Sequence, residues 1–349
     1  MTKISRHQQP VKRDDDPRIG LQGIHRWPRV TTQAGFVTPT RIVLTALTSA
    51  AVIAGAVGCG TSRAPNVTSS NIATPTTSAH GSATTPPGRG PQSVLPFTGL
   101  NDPEDVAVDA AGDVYVVDYA GGGHRAPGHV VKLAAGSNAQ TVLPFTGLDH
   151  PGGVAVDAAG NVYVVDGDKL GVVELAAGSN TQTVLPFTDL QGPGAVAVDT
   201  AGNVYVVDGD KLRVLELAAG SNAQTVLPFT GLNLPTAVAV DTVGNVYVVD
   251  ANIRQQSGQV LKLAAGSKTQ TVLPFTGLNL PTAVAVDTKG NLYVVDRNNR
   301  RVLKLAAGSN TQTVLPVTGN SLAGVAVDPA GTVYVTDQDT QRVVELPAA

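Results

Sequence analysis

Residues 271–305 alternate short apolar runs with polar turns. The runs at 271–275, 284–287, 292–296 and 301–305 are rich in Val, Leu and Tyr, and segments bearing Gly, Asn or Pro separate them. Apolar runs of about four to six residues bounded by turn residues are typical of β-strands. The pattern therefore predicts an antiparallel meander of four strands.

The same pattern recurs along the chain. The aspartate that ends the second run is repeated at Asp109, Asp157, Asp199, Asp241, Asp287 and Asp328. A period of about 40–50 residues with four strands per repeat is typical of a β-propeller. One four-stranded sheet cannot bury both of its faces, whereas neighbouring sheets in a ring can.

The two ends of the array predict how the ring closes. The strand that follows each LAAGS turn is missing after the last repeat, and an orphan copy at residues 93–97 precedes the first. We therefore predict an all-β fold at residues 93–349. It is a six-bladed β-propeller with four antiparallel strands per blade, and its N-terminal strand completes the final blade and removes the open edge.

The N-terminal 92 residues predict export and a tether. Residues 1–41 carry eight Lys and Arg against three Asp without apolar periodicity, which predicts a disordered leader. Residues 42–59 join an apolar stretch to Ala-Val-Gly-Cys59, which is similar to a signal peptide with a lipobox-like end. Lipidation of Cys59 or an uncleaved 42–57 anchor would attach the chain to a membrane, and a start at Val30 or Val37 would shorten the leader. Residues 60–92 are rich in Ser, Thr and Pro and predict a disordered tether.

Residues 281–305, PTAVAVDTKGNLYVVDRNNRRVLKL, resemble the NHL repeat. Its pattern is Pro-x-Gly/Ala-Val-Ala-Val-Asp, then Gly-Asn-hydrophobic-Tyr-Val, then Asp, Asn and Arg-Val. The recurring VLPFTGL, VAVD and GNVYVVD runs are also similar to the extracellular sensor domain of mycobacterial serine/threonine-protein kinase D. The resemblance implies an extracytoplasmic binding module. Kinase activity is not implied, because the chain has no His-Arg-Asp or Asp-Phe-Gly motif.

Variation among the repeats is concentrated on one predicted face. The intervals after the VVD motif are 10, 4, 4, 8, 4 and 4 residues, whereas the turns of the other face are nearly uniform. The long loops at 119–128 and 251–258 belong to opposed blades, and we expect them to flank the central depression. The candidate ligand-binding residues of this variable face are His124, Arg125, His150, Lys169, Lys211, Arg254, Gln255, Arg297, Arg300, Glu104 and Asp105, together with Asp168, Asp210 and Asp339.

The sequence assigns no metal or cofactor. The VAVD and VVD aspartates recur in every repeat, which spreads them around the ring, and each is expected to accept bonds from backbone N–H groups two or three residues on. The histidines of the domain, His124, His129 and His150, lack regular metal-ligand spacing. Residues 93–349 carry 24 acidic and 14 basic residues, which argues against a nucleic-acid partner.

Binding is favoured over catalysis. Only the first blade carries ionisable residues, Glu104 and Asp105, directly before the valine of its inner strand, and no Gly-x-Ser-x-Gly motif is present. We predict a lipid-anchored binding module of the cell envelope, a sensor, adhesin or scaffold, whose partner is an envelope protein, a peptide or a glycan. The alternative is a metal-dependent hydrolase or lyase centred on the channel, and a third interpretation is a spacer without a ligand.

Overall fold

A computed structural model describes residues 91–119 and 127–348. The predicted leader, the signal segment with Cys59, nearly all of the tether, and His124 and Arg125 lie outside these residues. The strands of the described part, in chain order, are β1 (Ser93–Val94), β2 (Pro103–Val108), β3 (Val114–Asp118), β4 (His129–Leu133), β5 (Gln140–Val142), β6 (Pro151–Val156), β7 (Val162–Asp166), β8 (Gly171–Leu175), β9 (Gln182–Val184), β10 (Pro193–Val198), β11 (Val204–Asp208), β12 (Arg213–Leu217), β13 (Gln224–Val226), β14 (Pro235–Val240), β15 (Val246–Asn252), β16 (Ser257–Leu263), β17 (Gln270–Val272), β18 (Pro281–Val286), β19 (Leu292–Asp296), β20 (Arg301–Leu305), β21 (Gln312–Val314), β22 (Leu322–Val327), β23 (Val333–Asp337) and β24 (Arg342–Leu346).

These strands form six four-stranded antiparallel sheets, so the predicted propeller is confirmed. Five sheets use consecutive strands, β2–β5 in blade 1 through β18–β21 in blade 5. The sixth has the order β1-β24-β23-β22, and β1 pairs Ser93 with Glu345 and Val94 with Val344. The first strand of the chain therefore completes the last blade, as the orphan copy predicted.

The hydrophobic cores lie between neighbouring blades. The VYVVD strands β3, β7 and β11 are buried at every position, because another blade covers each face of the sheet. The core between blades 1 and 2, for example, joins Tyr115 and Val117 to Leu148 and Val164. Burying one Val side chain contributes about 1.5 kcal/mol or more, so the ring of six such cores stabilises the fold. No helix among the described residues has the length and apolarity to span a bilayer.

The VAVD aspartates organise the turn between the first and second strands of each blade. In blade 1, Asp109 Oδ1 accepts hydrogen bonds from the backbone N–H groups of Ala111 and Asp113 at 2.9 Å, and Tyr115 donates its hydroxyl to Oδ2 at 3.0 Å. Blades 2 to 5 repeat this pattern. The expectation of bonds to nearby backbone N–H groups is confirmed for this set.

Most VVD aspartates have a different partner from the one expected, although Asp166 of blade 2 does accept from the backbone N–H of Lys169, three residues on, at 3.3 Å. Asp118 is fully buried and accepts from the backbone N–H groups of Asn101 and Asp102, which lie 17 and 16 residues earlier in the chain, respectively. Strand pairing explains the difference: Asp118 lies opposite Pro103, so its carboxylate faces the connection that precedes the inner strand. The equivalent aspartates of the other blades also accept from that connection.

A side chain from the third strand of the blade meets the buried carboxylate in several blades. Arg213 Nε lies 2.8 Å from Asp208 Oδ2, and Arg301 Nε lies 2.7 Å from Asp296 Oδ2. Blade 2 has Gly171 at the paired position, and there Lys169 Nζ approaches Asp166 at 3.0 Å instead. A buried carboxylate needs such partners, because leaving it unpaired costs several kcal/mol.

A belt of side-chain amides connects the blades at the outer edge. In each case the side-chain oxygen of a glutamine at the start of an outer strand accepts a hydrogen bond from a backbone N–H of the preceding blade. The donor is a threonine that follows the outer strand of that blade. The glutamine also donates to that threonine's carbonyl. We call these pairs rim clasps: Gln140–Thr98, Gln182–Thr146, Gln224–Thr188, Gln270–Thr230, Gln312–Thr276 and Gln92–Thr318. The last clasp crosses the junction between the two ends of the ring.

One rim clasp should contribute measurably to stability. Gln182→Ala removes two hydrogen bonds to the Thr146 backbone, so we expect the free energy of unfolding to fall by about 1–2 kcal/mol in urea titrations. Thr183→Ala, at the exposed neighbouring position, is the matched control and should change stability by less than about 0.5 kcal/mol. Equal effects of the two substitutions would contradict the role given to the clasp.

Candidate functional site at the mouth of the channel

The inner strands of the six blades approach one another closely around the central axis. A Cβ added to Gly153 of blade 2 would lie 2.8 Å from Ala195 Cα of blade 3, and one on Gly324 would lie 2.5 Å from Asp105 Oδ1. Thr282 of blade 5 bonds through its hydroxyl to the carbonyl of Ala323 at 2.9 Å. Small residues are therefore required at this level of most blades, and blade 1 departs from the rule.

Blade 1 places two acids at this level. Asp105 lies between three blades: Gly324 of blade 6 makes room for its carboxylate, and the Val154 backbone N–H of blade 2 donates to Oδ2 at 3.0 Å. Its equivalents in the other blades are Gly153, Ala195, Ala237, Ala283 and Gly324. Glu104 precedes it and hydrogen bonds with the side chain of Gln338 from blade 6. The pair is thus held by inter-blade packing and not by a flexible loop.

Burial shifts the titration of both acids. Loss of water raises the pKa of Asp105 from 3.8 to about 7, against the lowering effect of the Val154 and Val106 backbone N–H groups. Burial also raises the pKa of Glu104 from 4.5 to about 7, with a further rise from the charge of Asp102 and a lowering by Arg297. Carboxyls whose pKa lies near neutral pH can exchange protons with a bound ligand.

A second group lies on the blade 1–blade 2 side of the mouth. Tyr119 Oη is 2.7 Å from His150 Nε2, and the two rings stack with their centroids 4.9 Å apart. His150 Nδ1 is 2.7 Å from Asp168 Oδ2 and 3.8 Å from Asp149 Oδ1. Burial is the largest cause of the raised pKa of Tyr119. The negative charges of Asp168, Asp149, Asp102 and Glu104 raise it further. Those charges connect this group electrostatically to the acid pair.

Blades 5 and 6 supply the cationic side of the mouth. Arg297 donates to Gln338 Oε1 at 2.6 Å and to Ser321 Oγ at 3.2 Å. Gln338 in turn contacts Glu104, so a polar chain crosses from blade 5 through blade 6 to blade 1. We define the mouth cluster as Asp102, Glu104, Asp105, Tyr119, Asp149, His150, Asp168, Arg297, Ser321 and Gln338.

The structure thus brings five of the sequence candidates together, namely Glu104, Asp105, His150, Asp168 and Arg297. Lys169 and Lys211 are engaged elsewhere: Lys169 with the buried Asp166, and Lys211 with the side chain and carbonyl of Asp189. Arg254 and Gln255 are exposed at the tip of the β15–β16 hairpin. Arg300 is exposed, with a left-handed backbone (φ 53°), after a short 3₁₀ turn.

Sequence reasoning missed Tyr119, Asp149 and Gln338. Their signal was present, since each replaces a different residue type at the same repeat position. Tyr119, for instance, stands where blades 2 and 3 have Gly167 and Gly209. The 251–258 segment, expected to be a loop, instead extends the hairpin of blade 4, with Ala251 paired to Gly258 and Asn252 to Ser257. The expected loop walls stay a prediction, because residues 120–126 lie outside the described part.

A groove of about 610 Å³ lies on the opposite face, between blades 3 and 4. Its lining includes Asp199, Tyr205, Glu216 and Lys268. Asp199 and Tyr205 recur at the same repeat position in every blade and form part of the turn scaffold. The mouth cluster, by contrast, is built from residues that differ between blades, so it is the better candidate for a specific site.

Comparison with known proteins agrees with this architecture. Residues 278–305 match the family model of the NHL repeat. This NHL segment covers part of blade 5, and the other blades repeat its pattern with variations. No curated protein matches the chain significantly.

Solved structures share the propeller fold with this chain. A chain of the nidogen/laminin complex has a TM-score of 0.58 and 21% identity, covering 63% of this chain and 86% of that one. A streptogramin B lyase has a TM-score of 0.56 and 12% identity, covering 74% and 97%. A catalytically inactive virginiamycin B lyase from Staphylococcus aureus with quinupristin has a TM-score of 0.54 and 12% identity, covering 74% and 99%. At these identities the likeness establishes the fold alone.

Proposed function

We propose that this chain is an extracytoplasmic NHL-repeat binding module, attached to the membrane through Cys59, that binds a peptide, protein or glycan of the envelope on its variable face. The observation that carries the proposal is the mouth cluster. Residues that depart from the repeat in blades 1, 2, 5 and 6 gather at one place, although the repeat scaffold does not need them there.

The chemistry of the mouth cluster suits a polar ligand with a positive group. Its carboxylates outnumber the one arginine, and Tyr119 and His150 add an aromatic surface beside them. Aromatic and charged side chains in a recess are typical of sites that anchor a partner. The nidogen/laminin structure supports protein binding by this fold. The resemblance of the VLPFTGL and GNVYVVD runs to the sensor domain of kinase D, which rests on sequence alone, is the basis for proposing a sensor role.

Substitutions at the mouth should weaken capture of the partner. We expect Asp149→Asn and Asp168→Asn each to weaken binding at least about tenfold, because each removes a negative charge that attracts the positive group of the ligand. The measurement is biolayer interferometry with the immobilised full chain and fractionated envelope extract. Lys268→Ala, in the groove of the opposite face, is the matched control and should bind as the unaltered chain does. Loss of binding in Lys268→Ala alone would overturn the proposal.

A channel-centred lyase or hydrolase is the second candidate. The Tyr119–His150–Asp168 chain and the acid pair with a pKa of about 7 are groups that can transfer protons, and two structures of similar fold are lyases. Incubation with quinupristin followed by mass spectrometry tests this candidate. A binding module leaves the compound intact, whereas conversion that Tyr119→Phe slows would favour the enzyme.

A further inference from the structure

Three metal-ligating side chains converge at the edge of the mouth cluster. The ligand atoms of Asp149, His150 and Asp168 all lie within 4.8 Å of one another. His150 Nδ1 is 2.7 Å from Asp168 Oδ2 and 3.8 Å from Asp149 Oδ1. An ion held by these three atoms would form bonds of about 2.0–2.2 Å, which draws the ligand atoms to within roughly 4.4 Å of one another. Asp149 and Asp168 are about half exposed, at 49% and 53%, so an ion can enter and keep open positions toward solvent.

The backbone holds the three residues in place. Gly167 donates its N–H to the His150 carbonyl at 3.1 Å, and Asp168 donates to the Asp149 carbonyl at 3.2 Å. The end of β7 is therefore fixed against the connection that leads into β6. A Cβ on Gly167 would lie 2.8 Å from the His150 carbonyl oxygen, so any larger residue there would have to shift this backbone. The ligand set thus has a defined backbone geometry before any ion binds.

Tyr119 directs the imidazole. Its hydroxyl engages His150 Nε2 at 2.7 Å, which leaves Nδ1 directed at the two carboxylates. Histidines that bind metals almost always have their other ring nitrogen hydrogen bonded, which fixes the ring and its tautomer. Metal binding through Nδ1 would require that nitrogen to be unprotonated, and a proton on Nε2 would then donate to the Tyr119 oxygen.

Among the described contacts, Lys169 does not neutralise Asp168, although the two residues are neighbours in sequence. Lys169 directs its Nζ to the buried Asp166 at 3.0 Å. The carboxylates of Asp149 and Asp168 therefore remain available to attract a divalent cation at the three ligands.

The donor set selects the class of ion. One imidazole nitrogen and two carboxylate oxygens match Zn²⁺, which takes three protein ligands and an exchangeable fourth position in its open sites. Ca²⁺ prefers six to eight oxygen ligands, which two carboxylates and an imidazole do not supply. We propose that Asp149, His150 and Asp168 form a Zn²⁺ site at the rim of the mouth cluster, with Tyr119 positioning the histidine. This inference does not depend on the proposed binding function.

Blade 3 provides an internal control. Blades 2 and 3 share the sequence VVDGDKL, so Asp210 is the counterpart of Asp168. Blade 3, however, has Gln191 and Gly192 where blade 2 has Asp149 and His150. Gly192 has φ 83° and His150 has φ 51°, both in the left-handed region, so His150→Gly suits the local backbone.

Isothermal titration of the full, tag-free chain with ZnCl₂ tests the site. We expect one Zn²⁺ whose affinity falls at least about tenfold in His150→Gly and Asp168→Asn, and about tenfold in Tyr119→Phe. Asp210→Asn should leave the affinity unchanged, and CaCl₂ should not compete. The remaining histidines and Cys59 are the same in every variant, so they cannot produce this difference.

A second measurement keeps the test independent of folding. Thermal unfolding without metal should show that His150→Gly is folded, and added Zn²⁺ should raise the Tm of the unaltered chain but not of this variant. Zinc affinity that is equal in the unaltered chain, His150→Gly and Asp168→Asn would overturn the proposal. The proposal would also be overturned if no Zn²⁺ bound at about 100 μM, because a site with three protein ligands should have a higher affinity than that.

Discussion

Replacing Asp105 by Asn should raise the free energy of unfolding at pH 8 by roughly 3 kcal/mol, while leaving it nearly unchanged at pH 4. The side chain is partly buried between three blades, and the pKa of its carboxyl is raised from 3.8 to about 7. A rise of this size corresponds to roughly 4 kcal/mol of stability lost once the group is ionised, and partial solvent access reduces this to roughly 3 kcal/mol. Asn keeps the shape and can accept the Val154 hydrogen bond without carrying the charge.

The direction follows from proton binding. Between pH 4 and pH 7 the folded chain holds protons on Asp105 and Glu104 that the unfolded chain has released, because both folded pKa values are about 7 and the ordinary values are 3.8 and 4.5. The contribution of these groups is therefore favourable at low pH and is lost as pH rises toward 7. Other carboxylates whose pKa is lowered, such as Asp241 and Asp287, act in the opposite direction.

Urea denaturation at several pH values between 4 and 8 measures this effect. Glu104→Gln should give a similar gain, reduced by the loss of its attraction to Arg297. The matched control is Asp339→Asn, because Asp339 is exposed and its substitution should not change how the free energy of unfolding depends on pH. A chain in which Asp105→Asn lowers stability equally at every pH would show that the carboxyl is not desolvated as described.

Deleting residues 91–98 should lower the free energy of unfolding by about 4 kcal/mol or more. The deletion removes β1, the Gln92–Thr318 clasp, and the packing of Leu95 and Phe97 against the core between blades 6 and 1. Hydrogen bonds of about 1 kcal/mol each and partly buried large side chains add up to at least this amount. Loss of β1 also opens β24 as an unpaired edge, which favours aggregation.

The measurement is the urea midpoint together with resistance to protease. Val94→Thr is the matched control: Val94 is 52% exposed, and the substitution keeps the backbone pairing with Val344. We expect it to change stability by less than about 0.5 kcal/mol. Equal resistance of the deletion variant and the unaltered chain to heat and protease would show that the first strand does not close the ring.

Most of the fold follows from local pattern. Each VYVVD run is apolar at every position but its last, and turn residues bound it, so the strands and their number could be predicted from period and spacing. The orphan strand at 93–97 predicted ring closure because strand counting leaves it no other blade. The rim clasps were not predicted, since Gln182 and Thr146 are 36 residues apart and their pairing depends on how two blades meet.

The site could be predicted only in part. Glu104 and Asp105 stood out because other blades have small residues there, and this is a comparison within one chain. The approach of Asp168 to His150 depends on the backbone contact between the end of β7 and the preceding connection, which no spacing rule describes. The role of the VVD aspartates was misjudged for the same reason, because strand pairing turns them toward an earlier segment.

The structure of the full chain in complex with the partner captured from envelope extract tests the central claim most directly. We predict that the partner contacts Glu104, Tyr119 and Arg297 at the mouth of the channel on the variable face. A partner seated in the groove lined by Glu216 and Lys268, on the opposite face, would contradict the account.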